Sequence, residues 1–548
     1  MDRRDGSWLS FAETVTAAPS FHDLVLRHAG ERPSAVYVHS VDQDKCITYG
    51  ELRTIADGLA AFLSRAGVRA NDRVLMLAEN SVEFHAVFVG VLRYGATIVT
   101  VNVDMNQAHL AEIIGAVRPK LVIVQAGIGV EGFTRSGGEC WIELGDWKCD
   151  GGTGLFGEIA RRRDGANLRS VAAPDDHAVI FYTSGTVAKP KGVIQTHAGA
   201  FFNYDATADY LGLVPGKNVF DCRSFAWLSA QHMGLGAPLV AGATAHVARK
   251  FSATRYFDYL RQNDINIGFV VPTMINMLLS ASPRVSGSDL PKLEFLTCSS
   301  APLFLDRWQA FEQTFGITLC QSGGSSEGGN TAAHRGKDRK LGTLGPPLKY
   351  QTVRIVDDEG IEVAPGGLGE IVVAGGLQQA FGYLDPAGTI ERLPTEGHRT
   401  GDLGKVDEEG HLVIVGRKKD LIIRGGVNIA PLEIDAVLHE IAGVTEAAVA
   451  GVPDPIYGEE LVGFVNVARG SALSSEDILA HCRRKLPAFK LPRFILLLDE
   501  LPKNARGKVD RQQLVDLWIK SDPIKKTEVV SARHSSNDDP QHGGWRSD

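Results

Sequence analysis

The chain has 548 residues, and at about 150 residues per domain that length implies two to four domains. Hydrophobic residues make up 44% and charged residues 22%, as in ordinary folded chains, and the 60 glycines follow no Gly-X-Y period, which excludes collagen and low-complexity disorder. With 57 Lys and Arg against 65 Asp and Glu the net charge is −8, so a general nucleic-acid binder, which needs a basic surplus, is excluded as well.

In chain order, residues 1–20 read as an N-terminal extension. Thr48-Tyr49-Gly50-Glu51 then forms a capping box ahead of Leu52, Ile55, Leu59, Phe62 and Leu63 at helical spacing, with Gly67 past the end. Arg73–Ala78, Thr97–Val103 and Lys120–Val124 read as strands separated by helices, a β-α-β-α-β order that implies parallel sheet. His177–Thr183, Asn266–Val271 and Leu293–Cys298 look like further buried strands, each followed by a polar or Gly/Pro loop. Ligands gather at such strand ends.

From about Leu341 the runs Thr352–Val356, Glu370–Ala374 and Leu412–Val415 are short and cut by Gly, Pro and Asp turns, which suggests a small antiparallel β subdomain. After Gly416-Arg417-Lys418-Lys419-Asp420 a helix begins at Pro431, with Ile434, Val437, Leu438 and Ile441 on one face and Gly443 past its end. Strands Glu446–Ala450 and Leu461–Val467 follow, then a helix over Ser474–Leu486 stopped by Pro487. The fold class is α/β. A large domain of parallel-rich βαβ sheets spans 21–417, including a β-barrel-like subdomain over 341–417. A small mobile α+β domain spans 418–520. The polar residues 521–548 read as a disordered tail.

Cys46, Cys140, Cys149, Cys222, Cys298, Cys320 and Cys482 are scattered, with no C-x-x-C pair. That fits a reduced cytoplasmic chain better than a disulfide framework or a zinc site. The N-terminus opens Met-Asp-Arg-Arg-Asp with no apolar run long enough for a signal peptide, and no stretch reaches 18 uninterrupted apolar residues, so no membrane helix is expected.

Three segments carry chemistry. Tyr182-Thr183-Ser184-Gly185-Thr186-Val187-Ala188-Lys189-Pro190-Lys191-Gly192-Val193 follows a strand and concentrates hydroxyls, glycines and lysines, donors suited to phosphate oxygens. It is not a Walker A loop. Gln321-Ser322-Gly323-Gly324-Ser325-Ser326-Glu327-Gly328-Gly329 puts one carboxylate at the end of a small-residue loop, a magnesium ligand beside phosphates. His398-Arg399-Thr400-Gly401-Asp402-Leu403 reads as a tight turn presenting Asp402, whose carboxylate would accept ribose hydroxyls. Each segment alone has a plainer reading: a surface turn, a flexible loop, a turn former.

Together they resemble the adenylate-forming superfamily of acyl- and aryl-CoA synthetases, peptide-synthetase adenylation domains and luciferases. The resemblance runs from Ile47-Thr48-Tyr49-Gly50-Glu51-Leu52 to about Arg511. It includes a hinge segment, Gly416-Arg417-Lys418-Lys419-Asp420-Leu421-Ile422-Ile423-Arg424-Gly425-Gly426, and a lysine loop, Leu501-Pro502-Lys503-Asn504-Ala505-Arg506-Gly507-Lys508. The stretch through Phe251-Ser252 and Pro272-Thr273-Met274 looks most like carnitine/crotonobetaine-type and related medium-acid CoA ligases. Three positions depart from the family pattern. Val187-Ala188 replaces Thr-Gly, and Gly323 stands where an aromatic residue lies against adenine.

The resemblance implies an ATP- and Mg2+-dependent carboxylic acid–CoA ligase that forms acyl-AMP, releases pyrophosphate, and then makes a thioester with coenzyme A after the small domain turns. Thr183, Ser184, Gly185, Thr186 and Lys191 would cradle phosphates. Glu327 and Thr183 would bind the metal, with Ser325, Ser326, Gly323 and Gly324 beside the nucleotide. Ser300, Ala301 and Pro302 would line adenine. Asp402 and Arg417 would hold the ribose and phosphate side. Lys508, with Glu327 and Lys191, would be catalytic. Lys419 would be the hinge, and Gly425 and Gly426 would flank the pantetheine tunnel. Trp227, Ala230, Gln231, Ser299 and Ser322 would surround the acid. A carrier protein or an amine is the alternative acceptor, and a nucleotide-binding scaffold the alternative outside catalysis. Composition and spacing name neither the acid nor the oligomeric state.

Overall fold

The computed structural model describes residues 18–129, 140–148, 152–161, 168–182, 191–281, 284–374, 376–503 and 508–520. Thr183, Ser184, Gly185 and Thr186, Val187-Ala188, most of the N-terminal extension, Asn504–Gly507 and the tail from Ser521 lie outside the described residues. The chain divides into two compact units, Met1–Ile414 and Val415–Asp548.

The first unit is built on local signals that the chain states openly. Thr48 caps the helix Tyr49–Arg65: its hydroxyl accepts from the Glu51 amide at 3.2 Å, and Glu51 accepts from the Thr48 amide at 2.8 Å. The strands Arg73–Leu77, Thr97–Thr100 and Leu121–Val124 pair in parallel around the helices Val82–Tyr94 and Gln107–Val117. The expected strand through Val103 ends at Thr100, because Asn102 folds the chain back: its side chain accepts from the Asp104 amide and its carbonyl from the Met105 amide.

This eight-stranded sheet is not wholly parallel. Its order is Ile390–Arg392, Gly382–Leu384, Gly192–Thr196, His177–Tyr182, Thr97–Thr100, Arg73–Leu77, Leu121–Val124, Cys140–Glu143. Gly192–Thr196 runs antiparallel to both of its neighbours, with Tyr182 opposite Gly192 and Tyr383 opposite Val193. Two strands from the stretch expected to form the β subdomain thus join the large sheet.

A second eight-stranded sheet runs in the order Gly329–Ala333, Leu319–Ser325, Phe295–Cys298, Ile267–Val270, Asn218–Asp221, Thr244–Val247, Val36–Ser40, Lys45–Thr48. Two helices lie between the sheets. Every residue of Val82–Tyr94 is buried, and it packs on Thr97–Thr100 of one sheet and on Val36–Ser40 and Lys45–Thr48 of the other. His197–Leu211 likewise meets Gly192–Thr196 and Gly329–Ala333. The charged side chains of Val82–Tyr94 are paired, Arg93 with Asp57 and Glu83 with Lys45.

A four-stranded antiparallel sheet follows: Thr352–Val356, Gly369–Ala374, His398–Val406 and Leu412–Arg417. The segment read as a tight turn at His398–Leu403 lies inside the nine-residue strand His398–Val406. Its Gly and Thr mark a bulge in the ladder rather than a reversal of the chain.

The second unit is α+β. Its sheet orders Val427–Ile429, Ile422–Arg424, Gly458–Val467, Val444–Asp454, with Phe494–Leu497 parallel to Gly458–Val467. The helices are Pro431–His439, Ser475–Lys485 and Arg511–Lys520. The first ends at His439, short of Ile441, yet Ile434, Leu438 and Ile441 share one core with Val449, Leu461 and Ile478. Ser474 caps the second in a reciprocal pair with Asp477.

Among the described residues no helix is long and apolar enough to cross a membrane. Replacing Thr48 by Ala removes a buried-side cap and is expected to lower stability by about 1 kcal/mol. Urea unfolding checks this as a fall in midpoint with unchanged slope.

Candidate active site

The small-residue segment at Gln321–Gly329 is a hairpin. Leu319–Ser325 and Gly329–Ala333 pair antiparallel, with Ser325 opposite Gly329 and Glu327 in the turn. The Ser325 hydroxyl accepts from the Gly328 amide at 2.8 Å, and the Glu327 carbonyl accepts from the Ala380 amide at 2.7 Å. Gly323 fits this packing. A Cβ there would stand 2.5 Å from Leu344 Cδ1, and Leu344 packs with Ile355, Ile371 and Leu412. A leucine from a later loop fills the space in which a side chain at Gly323 would begin.

Glu327 is held from two sides. The Tyr383 hydroxyl donates to its Oε1 at 2.8 Å, and His398 Nε2 stands 3.7 Å from its Oε2. Lys191 Nζ lies 5.1 Å from the centre of the same Tyr383 ring and 3.5 Å from Glu391 Oε2. Tyr383 therefore joins two residues that lie far apart in sequence. Burial, reinforced by the Glu327 carboxylate, pushes the Tyr383 phenol well above its ordinary pKa, so it remains a hydrogen-bond donor. Burial lowers the His398 pKa, against the opposing pull of Glu327, Glu370 and Asp402.

Asp402 is aimed by the bulge. Leu403 pairs with Glu370 and Arg399 with Val372, which leaves Thr400, Gly401 and Asp402 opposite Ile371 alone. Gly401 has φ +72°, the left-handed region. The buried Glu370 carboxylate ties the bulge down, accepting from Arg399 Nη2 at 2.8 Å and from the Gly401 amide at 3.2 Å. Thr400 donates to the Ile371 carbonyl and accepts from the Asp402 amide. Bulges re-aim side chains in this way.

The proposed acid pocket lies at the carboxyl ends of parallel strands of the second sheet. Asp221 ends Asn218–Asp221, Ser299 and Ser300 follow Phe295–Cys298, and Ser322 lies on Leu319–Ser325. Ser299 and Ser322 are buried, and Ser322 accepts from Thr297 Oγ1 at 3.4 Å. Ser300 takes φ +73°, a strained backbone for a serine. Ala301 is half-buried and Pro302 exposed. Trp227, half-buried, begins the short helix Leu228–Ala230, which passes into a π-helical turn at Gln231–Gly236. Such turns recur at functional sites. Ala230 and Gln231 are fully buried, and the Gln231 amide nitrogen donates to Thr100 Oγ1 and to the Phe225 carbonyl, both at 2.8 Å. Gln231 thus ties its own turn to the neighbouring sheet.

Within the second unit, Arg417 ends a strand and Lys419 lies in the exposed 3-10 turn Lys418–Asp420. Gly425 and Gly426, both at positive φ, form the two-residue hairpin between Ile422–Arg424 and Val427–Ile429. Lys508 is half-buried next to the Lys503–Val509 bridge.

The sequence reading passed over Tyr383, His398 and Arg223. His398 opens the segment from which Asp402 was singled out. Tyr383, between apolar neighbours, carries no pattern of its own.

Among the described residues no group of three or more His, Cys, Asp and Glu is arranged to hold a metal. The single carboxylate of Glu327 suits Mg2+, a hard cation that takes one or two carboxylates and completes its shell with phosphate oxygens and water. Glu327 and Lys191 meet the same Tyr383 side chain, a carboxylate and a cation of the kind that bind metal-bound phosphates. The chain belongs to the AMP-binding enzyme family: residues 25–384 match the AMP-binding enzyme, and residues 433–508 match the AMP-binding enzyme C-terminal domain. It is 30% identical to sulfoacetate–CoA ligase of Cupriavidus necator over 90% of this chain and 97% of that one. It is 30% identical to indoleacetate–CoA ligase of Aromatoleum aromaticum over 91% and 98%. Its fold is similar to that of ATP-bound MatB from Rhodopseudomonas palustris, with TM-score 0.83 and 27% identity over 91% of this chain and 99% of that one.

Replacing Tyr383 by Phe removes the donor to Glu327 while keeping the ring beside Lys191. Hydrogen bonds to charged groups contribute about 1.5–3 kcal/mol. The expected outcome is a fall of about tenfold or more in kcat/KM for ATP, with a raised Mg2+ requirement, read by titrating each separately.

Proposed function

We propose that this chain is an ATP-dependent carboxylic acid–CoA ligase working through an acyl-AMP intermediate. The observation that carries the reading is the Glu327–Tyr383–Lys191 cluster beside Asp402, within a chain of the AMP-binding enzyme family. The two CoA ligases it resembles are matched over nearly their whole length, which supports the same reaction class.

A carboxylate is a poor acylating agent. In the first step its oxygen attacks the α-phosphorus of ATP, the bond from that phosphorus to the bridging oxygen breaks, and pyrophosphate leaves. In the second the sulfur of coenzyme A attacks the acyl carbon, and AMP leaves as its carbon–oxygen bond breaks. The first step gathers negative charge on phosphate oxygens, and preorganised cations stabilise such charge. Lys191, with Thr183, Ser184, Gly185 and Thr186, would meet the β- and γ-phosphates. Lys508 would meet the reacting oxygens. Asp402 would accept the ribose hydroxyls, and Ser300, Ala301 and Pro302 would line the base. Glu327 would hold Mg2+, which supplies Lewis-acid charge to the phosphates when bound. Lys419 would be the hinge between the two half-reactions, and Gly425 and Gly426 would flank the thiol arm. The six cysteines among the described residues are free, in support of a reducing compartment, the cytoplasm.

With Mg-ATP and a panel of acids, pyrophosphate release is expected to depend on the acid, and a thioester to form only with CoA. Pyrophosphate release without any CoA thioester would move the acceptor to a carrier protein or an amine. No release with any acid would overturn the proposal.

Replacing Lys508 by Ala should slow adenylation by about 100-fold or more and leave thioester formation from supplied acyl-AMP near the wild-type rate. Equal loss in both half-reactions would remove Lys508 from the first step.

A further inference from the structure

Arg511 opens the last helix, Arg511–Lys520, three residues after Lys508. Its guanidinium joins two other elements of the second unit. Nη2 donates to Asp435 Oδ2, and Nη1 donates to the carbonyl of Val449. Asp435 Oδ1 in turn accepts from the Val449 amide at 2.6 Å. Asp435 lies on the helix Pro431–His439 and is 2% exposed. Val449 lies on Val444–Asp454, which stands last in the order of its sheet. A strand at a sheet edge carries backbone groups with no strand to pair with. At Val449 the acid takes the amide and the arginine takes the carbonyl, so buried backbone keeps its partners.

The same strand holds the chain on the other side of Lys508. Lys503 forms an ion pair with Glu446, and Leu501 packs with Ala448, Ala450 and Val452. Lys503 and Val509 form an antiparallel bridge, and the Asp510 amide donates to the Pro502 carbonyl at 2.9 Å. Asp510 Oδ1 accepts from the Gln513 amide at 3.2 Å, as a helix cap does. Val509, Asp510 and Arg511 are each tied, and Lys508 is the residue directly before them.

Arginine suits this post. Its planar fork reaches a carboxylate and a carbonyl at once, which the point charge of a lysine does not reproduce. Asp420, in the turn Lys418–Asp420, adds a second negative charge that acts on Arg511.

We infer that Arg511 is a positioning residue for Lys508: with Asp435 it fastens the stem that carries the lysine to the strand Val444–Asp454, and so serves adenylation without touching the reacting atoms. This rests on the reading of Lys508 as the cation of the first half-reaction.

The test measures pyrophosphate release with whichever acid of the panel gives the highest rate, and thioester formation separately from supplied acyl-AMP. Asp435→Asn keeps the shape of the side chain and removes its charge, while Asp420 leaves the guanidinium a counter-charge. The expected outcome is a fall of about tenfold in kcat for adenylation, because small misplacements of a reacting group cost rate steeply, with KM for ATP and the thioester step each within about twofold of wild type. Arg511→Lys keeps the charge and loses the fork. It should show the same pattern to a smaller degree, and it keeps the test open should Asp435→Asn not fold. A double-variant cycle separates positioning from stability. In a Lys508→Ala background either change should alter adenylation by less than about twofold, since a residue acting through Lys508 has nothing left to place. A loss that persists in that background, or that is equal in the two half-reactions, overturns the inference. So does unchanged adenylation in both variants. If the wild-type chain releases no pyrophosphate with any acid, the adenylation reading falls and this inference with it. Release by the wild type together with independent, additive losses sinks the inference alone.

Discussion

The hydrogen bond from Tyr383 to Glu327 joins three stretches of chain that the sequence keeps far apart. Glu327 lies in the turn of a hairpin on the second sheet. Tyr383 lies on a three-residue strand that leaves the β-rich region and pairs beside Val193 of the first sheet. That same first-sheet strand begins one residue after Lys191. Without the short strand at Gly382–Leu384, Glu327 would lose its phenol donor and Lys191 the ring beside it. The third support comes from His398, on the strand whose bulge aims Asp402. One phenol thus orders a site drawn from both large sheets and the small one.

The two buried helices make such a convergence possible. Val82–Tyr94 and His197–Leu211 are packed on both sides, so the sheets they separate hold a fixed spacing. The ends of the strands of each sheet then serve as rigid mounting points. Loops carry the chemistry, and the layers beneath set where those loops begin.

What could be read from the chain alone was local. A capping box involves four consecutive residues, and the alternation of strands and helices over 73–124 is a matter of period, so both were legible. The carboxylates Glu327 and Asp402 were legible as candidates because small and hydroxyl residues surround them. Their geometry was not. The bulge at Thr400–Asp402 exists only in register with Glu370 and Val372, thirty residues earlier, and no local pattern encodes that register. Gly323 made sense only when Leu344 was found in its space. Arg223 reads as an ordinary charge until its pairing with Asp221, two residues away and on the same strand end, becomes visible.

Lys191 draws its two neighbours from groups of different character. The Tyr383 ring fixes the direction of its side chain. The Glu391 carboxylate, 3.5 Å away, merely balances its charge, with both side chains about half or more in solvent. Exposed pairs of this kind are worth about 0–1 kcal/mol. The lysine can therefore release this counter-ion at little cost in free energy. The strand and the ring keep its address while the ionic partner changes. Rising ionic strength screens the resting pair with Glu391 and loosens it further.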